Sequence, residues 1–214
     1  MKNLLKNIKN VAYLIVATAF VSANAGSYED FFEAVAVDDA TTIAGLTRRG
    51  FDPNSRDPKG QTGLLLALRD GAFQAAEVLL KNPATDVNTL NEAGESALMM
   101  AALKGRTEWA QRLLERGAQV NKNGWSPLHY AATGPESAVV KLLLDRGAAI
   151  DAESPNRSTP LMMAAQYGSE ASVELLLARG ADARRKNALG LGAADFARLA
   201  RRDELAARLE RLAR

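Results

Sequence analysis

The sequence predicts an all-α solenoid of stacked helix–turn–helix units with short loop or hairpin tips. A four-residue phrase recurs along the chain at 96–99 (SALM), 126–129 (SPLH) and 159–162 (TPLM). Equivalent positions in successive copies are 34, 30, 33 and 33 residues apart. Because a regular period of this length is typical of stacked units, each unit should bury its apolar face against its neighbours. Such a stack builds a long surface, which favours binding over catalysis.

Each unit has the apolar spacing and the capping residues of paired helices. In 139–144 (VVKLLL) the apolar side chains recur at helical spacing. A hydroxyl residue followed by an apolar run predicts a helix N-cap, and Pro127 and Pro160 fit the first helical position. The expected N-caps are Thr62, Ser96, Ser126 and Thr159.

Glycines mark the ends of the second helices. Gly117, Gly147 and Gly180 stand where a helix is expected to end in a left-handed residue. Asp38 and Pro135 replace the glycine expected between the two helices of their units. The step that ends at residue 124 is three residues short, which predicts a clipped loop at 122–124.

These features together resemble the ankyrin repeat, whose signature is Thr-Pro-Leu-His-x-Ala at a 33-residue period. The resemblance covers the chain from about residue 28 onwards and implies four central repeats between two degenerate capping units. It also implies that His129, the only histidine, is structural and bridges its own turn to neighbouring backbone. The expected segments are 26–54 for the first cap, then 55–89, 90–121, 122–153 and 154–186, and 187–214 for the last cap.

Residues 1–25 have the pattern of a secretory signal peptide. Lys2, Lys6 and Lys9 precede an apolar stretch at 11–21, and 23–25 (ANA) is a small-x-small cleavage pattern. We expect cleavage after Ala25, export to the periplasm or medium, and no stable membrane anchor afterwards. An uncleaved anchor is the alternative. Removing three lysines from 27 basic residues leaves 24 against 25 acidic residues, so the charge gives no argument for nucleic acid.

Composition narrows the possible chemistry. The sequence has no cysteine, which excludes disulfides and thiolate catalysis, and we expect no cofactor and no metal site. Arginines concentrate after residue 183 but alternate with acids, which indicates a solvated capping helix with i,i+4 pairs; a binding patch is the alternative.

Candidate contact residues follow from the resemblance, which implies a partner-binding concave face made of inner helices and loop tips. The position after the motif histidine forms an apolar column, with polar and aromatic residues beside it. Because methionines and aromatics at helical spacing are usually core, the column could instead pack between helices. The candidates are Leu66, Arg69, Met100, Lys104, Trp125, Tyr130, Met163, Gln166, Tyr167 and Phe196.

The resemblance therefore implies a monomeric, non-catalytic module that binds a partner protein. Two roles stay open. One is an immunity or inhibitor protein that neutralises an exported toxic enzyme such as a lipase effector. The other is an accessory factor of a periplasmic oxidative-stress enzyme. A hydrolase would need a cluster of acids in the groove, for which Asp70, Glu92 and Glu95 are the candidates.

Overall fold

The computed structural model describes residues 26–214, which separate into two compact units. The predicted signal peptide, residues 1–25, lies outside the described residues. Unit 1 comprises residues 26–57 and 62–85, and unit 2 comprises 58–61 and 86–214. The helices of unit 1 are α1 (26–36), α2 (Ala40–Arg48), α3 (Gly63–Asp70) and α4 (Phe73–Lys81).

Unit 2 is built of helix pairs in two layers. The first helices of the pairs, α5, α7, α9 and α11, pack on one another in succession, and so do the second helices α6, α8 and α10. We call these the inner and outer layers. The all-α class with stacked helix–turn–helix units is confirmed. The helices are α5 (Ala97–Leu103), α6 (Thr107–Glu115), α7 (Pro127–Thr133), α8 (Ser137–Asp145), α9 (Pro160–Gln166), α10 (Glu170–Ala178), α11 (Ala193–Leu199) and α12 (Asp203–Leu212).

The first helices begin at the predicted caps. The hydroxyls of Thr62, Ser96 and Thr159 each accept a hydrogen bond from the backbone N–H three residues on. Ser126 is the N-cap of α7, with Pro127 at its first position, as Pro160 is in α9. Each hydroxyl satisfies a backbone donor that has no partner within its own helix.

The second helices of three pairs end as expected. Gly117, Gly147 and Gly180 adopt φ of 86°, 84° and 94°, a region in which a Cβ is disfavoured. Asp38 takes the same conformation at φ 59° in place of a glycine. Gly134, which precedes Pro135, instead has φ −74° and ψ 169°, so that turn is extended.

Small residues set the spacing of the inner layer. The alanine pairs at 101–102, 131–132 and 164–165 are all at most 1% exposed. A methyl group added at Gly168 would overlap the carbonyl oxygen of Ala132, so the turn after α9 approaches α7 as closely as glycine allows. The outer helices contribute Leu113 and Leu143, both fully buried, to the same core. Among residues 26–214, no helix has the length and apolar character needed to cross a membrane.

Candidate functional site

The inner layer of unit 2 carries a pocket of about 220 Å³ centred on α7. Its walls come from three successive inner helices, α5, α7 and α9, and from the loop that precedes α7. Apolar atoms make up most of its surface. The lining residues are Leu103, Trp125, His129, Tyr130, Thr133 and Met163.

His129 forms the rigid floor of this pocket. Its Nε2 lies 2.9 Å from the carbonyl oxygen of Ser158. Because a carbonyl oxygen can only accept, Nε2 carries the proton, and Nδ1 accepts the backbone N–H of Ser126 at 3.2 Å. The side chain is 1% exposed, and this burial lowers its pKa, which keeps the ring neutral. This geometry is the structural bridge that the resemblance implied.

Trp125 stands half-buried on the loop before α7. Its ring meets the His129 ring edge-on, with the centroids 5.3 Å apart. Lys122 folds over the same loop, and its Nζ donates to the carbonyl oxygens of Asn123 and Trp125, each at 3.1 Å. These two hydrogen bonds therefore stabilise the short loop that carries the Trp125 side chain.

Tyr130 is hydrogen-bonded to Glu95, which lies on the loop before α5. Its hydroxyl donates to Oε1 of Glu95 at 2.7 Å, a contact 35 residues away in sequence. Asn91 donates from Nδ2 to Oε2 of Glu95 at 2.8 Å and accepts its backbone N–H, which orients the carboxylate. Burial, together with this hydrogen bond and charge, raises the pKa of Tyr130 above its ordinary range. The phenol therefore acts as a permanent hydrogen-bond donor.

Only some residues of the predicted apolar column are accessible to solvent. Leu66 on α3 of unit 1 is half-buried, as are Tyr130 and Met163 in unit 2. Met100 is 3% exposed and Phe196 is 8% exposed, so expecting these two to face a partner was wrong. Their neighbours in the inner layer cover them, and the core alternative holds for both.

The flanking candidates differ in availability. Tyr167, at the end of α9, is 59% exposed, whereas Gln166 beside it is half-buried. Lys104 is exposed at the end of α5. Arg69 in unit 1 forms a two-point ion pair with Asp70, with both N–O distances 2.7 Å. Tyr167 and Lys104 are therefore the candidates most open to solvent.

Sequence reasoning missed one exposed residue of this layer. Leu199, the last residue of α11, is 63% exposed. It stands seven residues after its helix cap, the position that Leu103 and Thr133 occupy in their own repeats. Comparing this position across the repeats would have identified it.

The C-terminal arginines bind carbonyl and carboxylate groups of the same chain. Arg202 donates from Nη1 to the carbonyl oxygens of Ala164, Ala165 and Gly168 at 3.0–3.1 Å and so caps the end of α9. Arg198 bridges Asp195 and Glu210, and Arg208 pairs with the acids of α10. The predicted i,i+4 pairs are thus corrected: Arg198 and Asp195 form an i,i+3 pair within α11, and the pairs with Glu210 and with the acids of α10 join different helices. One face of α12 is exposed, as predicted for a solvated capping helix.

The described residues hold no group of three or more histidines or acids placed to bind a metal ion. Both ring nitrogens of the pocket histidine are bound within the chain: Nε2 by the Ser158 carbonyl, and Nδ1 by the N–H and the hydroxyl of Ser126, the latter at 2.8 Å.

Comparison with known proteins identifies the repeat. A family model described as ankyrin repeats, in three copies, matches residues 31–123 and 119–187. The chain belongs to the ankyrin-repeat family. Ankyrin repeats are protein–protein interaction modules and generally lack catalytic activity, and the two-layered helix pairs of unit 2 are the repeats of this family.

Several curated proteins share the ankyrin region. Human neurogenic locus notch homolog protein 4 is 37% identical over 148 residues, which are 61% of this chain and 7% of that protein. The neurogenic locus Notch protein of Drosophila melanogaster is 32% identical over 150 residues, 61% of this chain and 6% of that protein. A Caenorhabditis elegans homolog of the transient receptor potential cation channel subfamily A member 1 is 32% identical over 132 residues, 60% of this chain and 11% of that protein. The chain thus spans about a tenth or less of these relatives.

Proposed function

We propose that this ankyrin protein is exported to the periplasm of a bacterium and binds a partner protein, without catalysis, on the inner layer of unit 2. The observation that supports the surface is the pocket on α7, where aromatic rings and a methionine line a recess that solvent can enter. Aromatic residues are frequent energetic anchors of interfaces, and methionine adapts to varied partners. The observation that supports export is the basic, apolar and small-residue pattern of residues 1–25.

Site-directed crosslinking tests the binding surface. We would place the photoreactive residue p-benzoylphenylalanine at Tyr167, which is exposed one helical turn after the pocket residue Met163, and at Gln111, which is exposed on the outer-layer helix α6. We expect a single crosslinked protein from position 167 in living cells and none from position 111. The reverse pattern, or equal labelling from both positions, would place the interface elsewhere.

The identity of the crosslinked protein separates the two roles. A toxic exported enzyme that kills cells lacking the ankyrin protein would make it an immunity protein. If the crosslinked protein is a redox enzyme, and if loss of either protein makes cells equally sensitive to peroxide, the ankyrin protein is an accessory factor.

Export is tested separately by fractionation and N-terminal sequencing. We expect the protein in the periplasmic fraction with Gly26 as its first residue. A chain that retains residues 1–25 in the cytoplasm would refute export and leave the binding surface unaffected.

A further inference from the structure

Resting on the proposed protein-binding function, we propose that the pocket of unit 2 takes one arginine side chain of the partner. The methylene groups of this arginine contact Leu103 and Met163. Its guanidinium group contacts the rings of Trp125 and Tyr130, near the carboxylate of Glu95.

The size of the pocket limits its guest. Sites for drug-sized ligands enclose about 300–1,000 Å³. The pocket of unit 2 encloses about 220 Å³ and is open to solvent on one side. This volume suits a single long side chain that enters from a partner and remains attached to its backbone.

The lining suits a side chain that is apolar along its stem and cationic at its end. Arginine buries its methylene groups on apolar surface and places its planar cation on aromatic faces. The protein already makes such a contact elsewhere, because the guanidinium carbon of Arg112 lies 4.4 Å from the centroid of the Trp109 ring. The pocket offers Trp125 and Tyr130 for the same arrangement.

The charge beside the pocket favours a cation. Glu95 is half-buried, and its two oxygens accept from the neutral groups of Tyr130 and Asn91. No cation lies within ion-pair distance of it among the described residues. A partly desolvated carboxylate attracts an incoming cation more strongly than a fully hydrated one does. The bond from the phenol to this carboxylate also increases electron density on the Tyr130 ring, which strengthens its attraction for a cation.

Two lysines of the protein act against a cationic guest. Lys122 lies on the loop that carries Trp125, with its ammonium bound to two carbonyl oxygens, and Lys104 is exposed at the end of α5. Their charges oppose the attraction exerted by Glu95. Removing the charge of Glu95 should therefore weaken binding of a cation.

A titration with small capped amino acids tests the proposal. Trp109→Phe leaves Trp125 as the only tryptophan, so its indole N–H signal in NMR reports on the pocket. We would titrate N-acetyl-argininamide and, at the same ionic strength, N-acetyl-leucinamide. We expect a saturable shift of the Trp125 signal with the arginine compound and at least fivefold weaker binding of the leucine compound.

Charge variants sharpen the test. Glu95→Gln, which keeps an acceptor for Tyr130, should weaken binding of N-acetyl-argininamide about fivefold, as expected for a charge at a partly desolvated site. Glu92→Gln is the matched control, since Glu92 is an exposed acid on the same loop and should change binding less than the Glu95 variant does. If Glu95→Gln fails to fold, raising salt from about 0.05 M to about 0.5 M must weaken arginine binding and spare leucine binding.

Three outcomes would overturn the proposal: no saturable shift with the arginine compound, equal or tighter binding of the leucine compound, or insensitivity to both Glu95 and salt. In each case a crosslink from position 167 would still support partner binding. The failure of the arginine assignment is therefore separable from the failure of the proposed function.

Discussion

Acidification should destabilise the protein through His129. In the folded state Nδ1 accepts the backbone N–H of Ser126, the N-cap of α7, while Nε2 donates to the Ser158 carbonyl. A second proton would sit on Nδ1 and would end the hydrogen bond from that N–H, while the Ser126 hydroxyl, 2.8 Å from Nδ1, can turn to accept it; the main cost is therefore the burial of a charged ring. Burial already lowers the pKa of His129 below its ordinary value of 6.5. The proton therefore binds the unfolded chain more tightly than the folded one.

The size of the effect follows from linkage. A histidine whose pKa is lower in the folded state stabilises the protein fully at a pH above its pKa in the unfolded state. This stabilisation is lost as the pH falls from the unfolded-state pKa towards the folded-state pKa. Between about pH 7.5 and about pH 5.5 the loss is at most about 1.4 kcal/mol, the limit that holds if the folded ring takes up no proton in this range. For a protein of this size the midpoint of thermal unfolding should then fall by at most about 3–5 °C.

Thermal unfolding of a matched variant isolates this contribution. His129→Met is the control that the chain itself supplies, because Met99 and Met162 hold the same motif position, and the Met162 sulfur accepts the N–H of Thr159 at 3.4 Å. The variant should be less stable at every pH, yet its difference from the natural protein should shrink on acidification, by at most about 1.4 kcal/mol. A difference that stays constant over this range would refute the assignment of a neutral, Nδ1-accepting ring.

Further changes test the packing and the turns. Leu143→Ala should cost about 2–5 kcal/mol of unfolding free energy, since the side chain is fully buried, whereas Lys141→Ala on the exposed side of the same helix should cost under about 1 kcal/mol. Gly168→Ala should destabilise by about 1–3 kcal/mol because the methyl group overlaps backbone of α7. Gly45→Ala within α2, where the added methyl meets only the Arg49 side chain at 3.5 Å, should stabilise by about 0.5–1 kcal/mol. Asp38→Ala should cost about 1–2 kcal/mol, since Oδ1 accepts a backbone N–H of α4 at 2.7 Å and the residue has positive φ, and Asp38→Asn should restore most of it. Equal melting temperatures within any of these pairs would contradict the packing or turn geometry described for that site.

The fold could be predicted because its determinants are local. The caps at Ser96 and Thr159 and the left-handed glycines such as Gly147 are set by residues within one turn, and the repeat shows the same solution several times. Repetition also fixed which helices pair, since each unit must bury its apolar face against the next.

The details of the site depend on contacts that the repeat pattern does not contain. Met100 and Tyr130 hold the same repeat position, yet the first is buried and the second is half-buried and bonded to Glu95. That difference comes from side chains in adjacent repeats, 30 or more residues away. Arg202 likewise resembles its charged neighbours in sequence, and its role as a cap for α9 follows only from the packing of the last repeat.

Two departures from the repeat pattern lie in the segment that builds the pocket. The three-residue shortening at 122–124 and the extended Gly134-Pro135 turn flank α7, in which His129 keeps the family motif. Local rules of a fold are most often broken where function requires it. In this chain the shortened loop leaves Trp125 half-buried beside the neutral ring of His129, while Glu95 reaches the same helix from the preceding repeat. The repeated helix pairs position the pocket. The irregular loop and turn on either side of α7, together with Glu95, place the side chains by which a partner would be recognised.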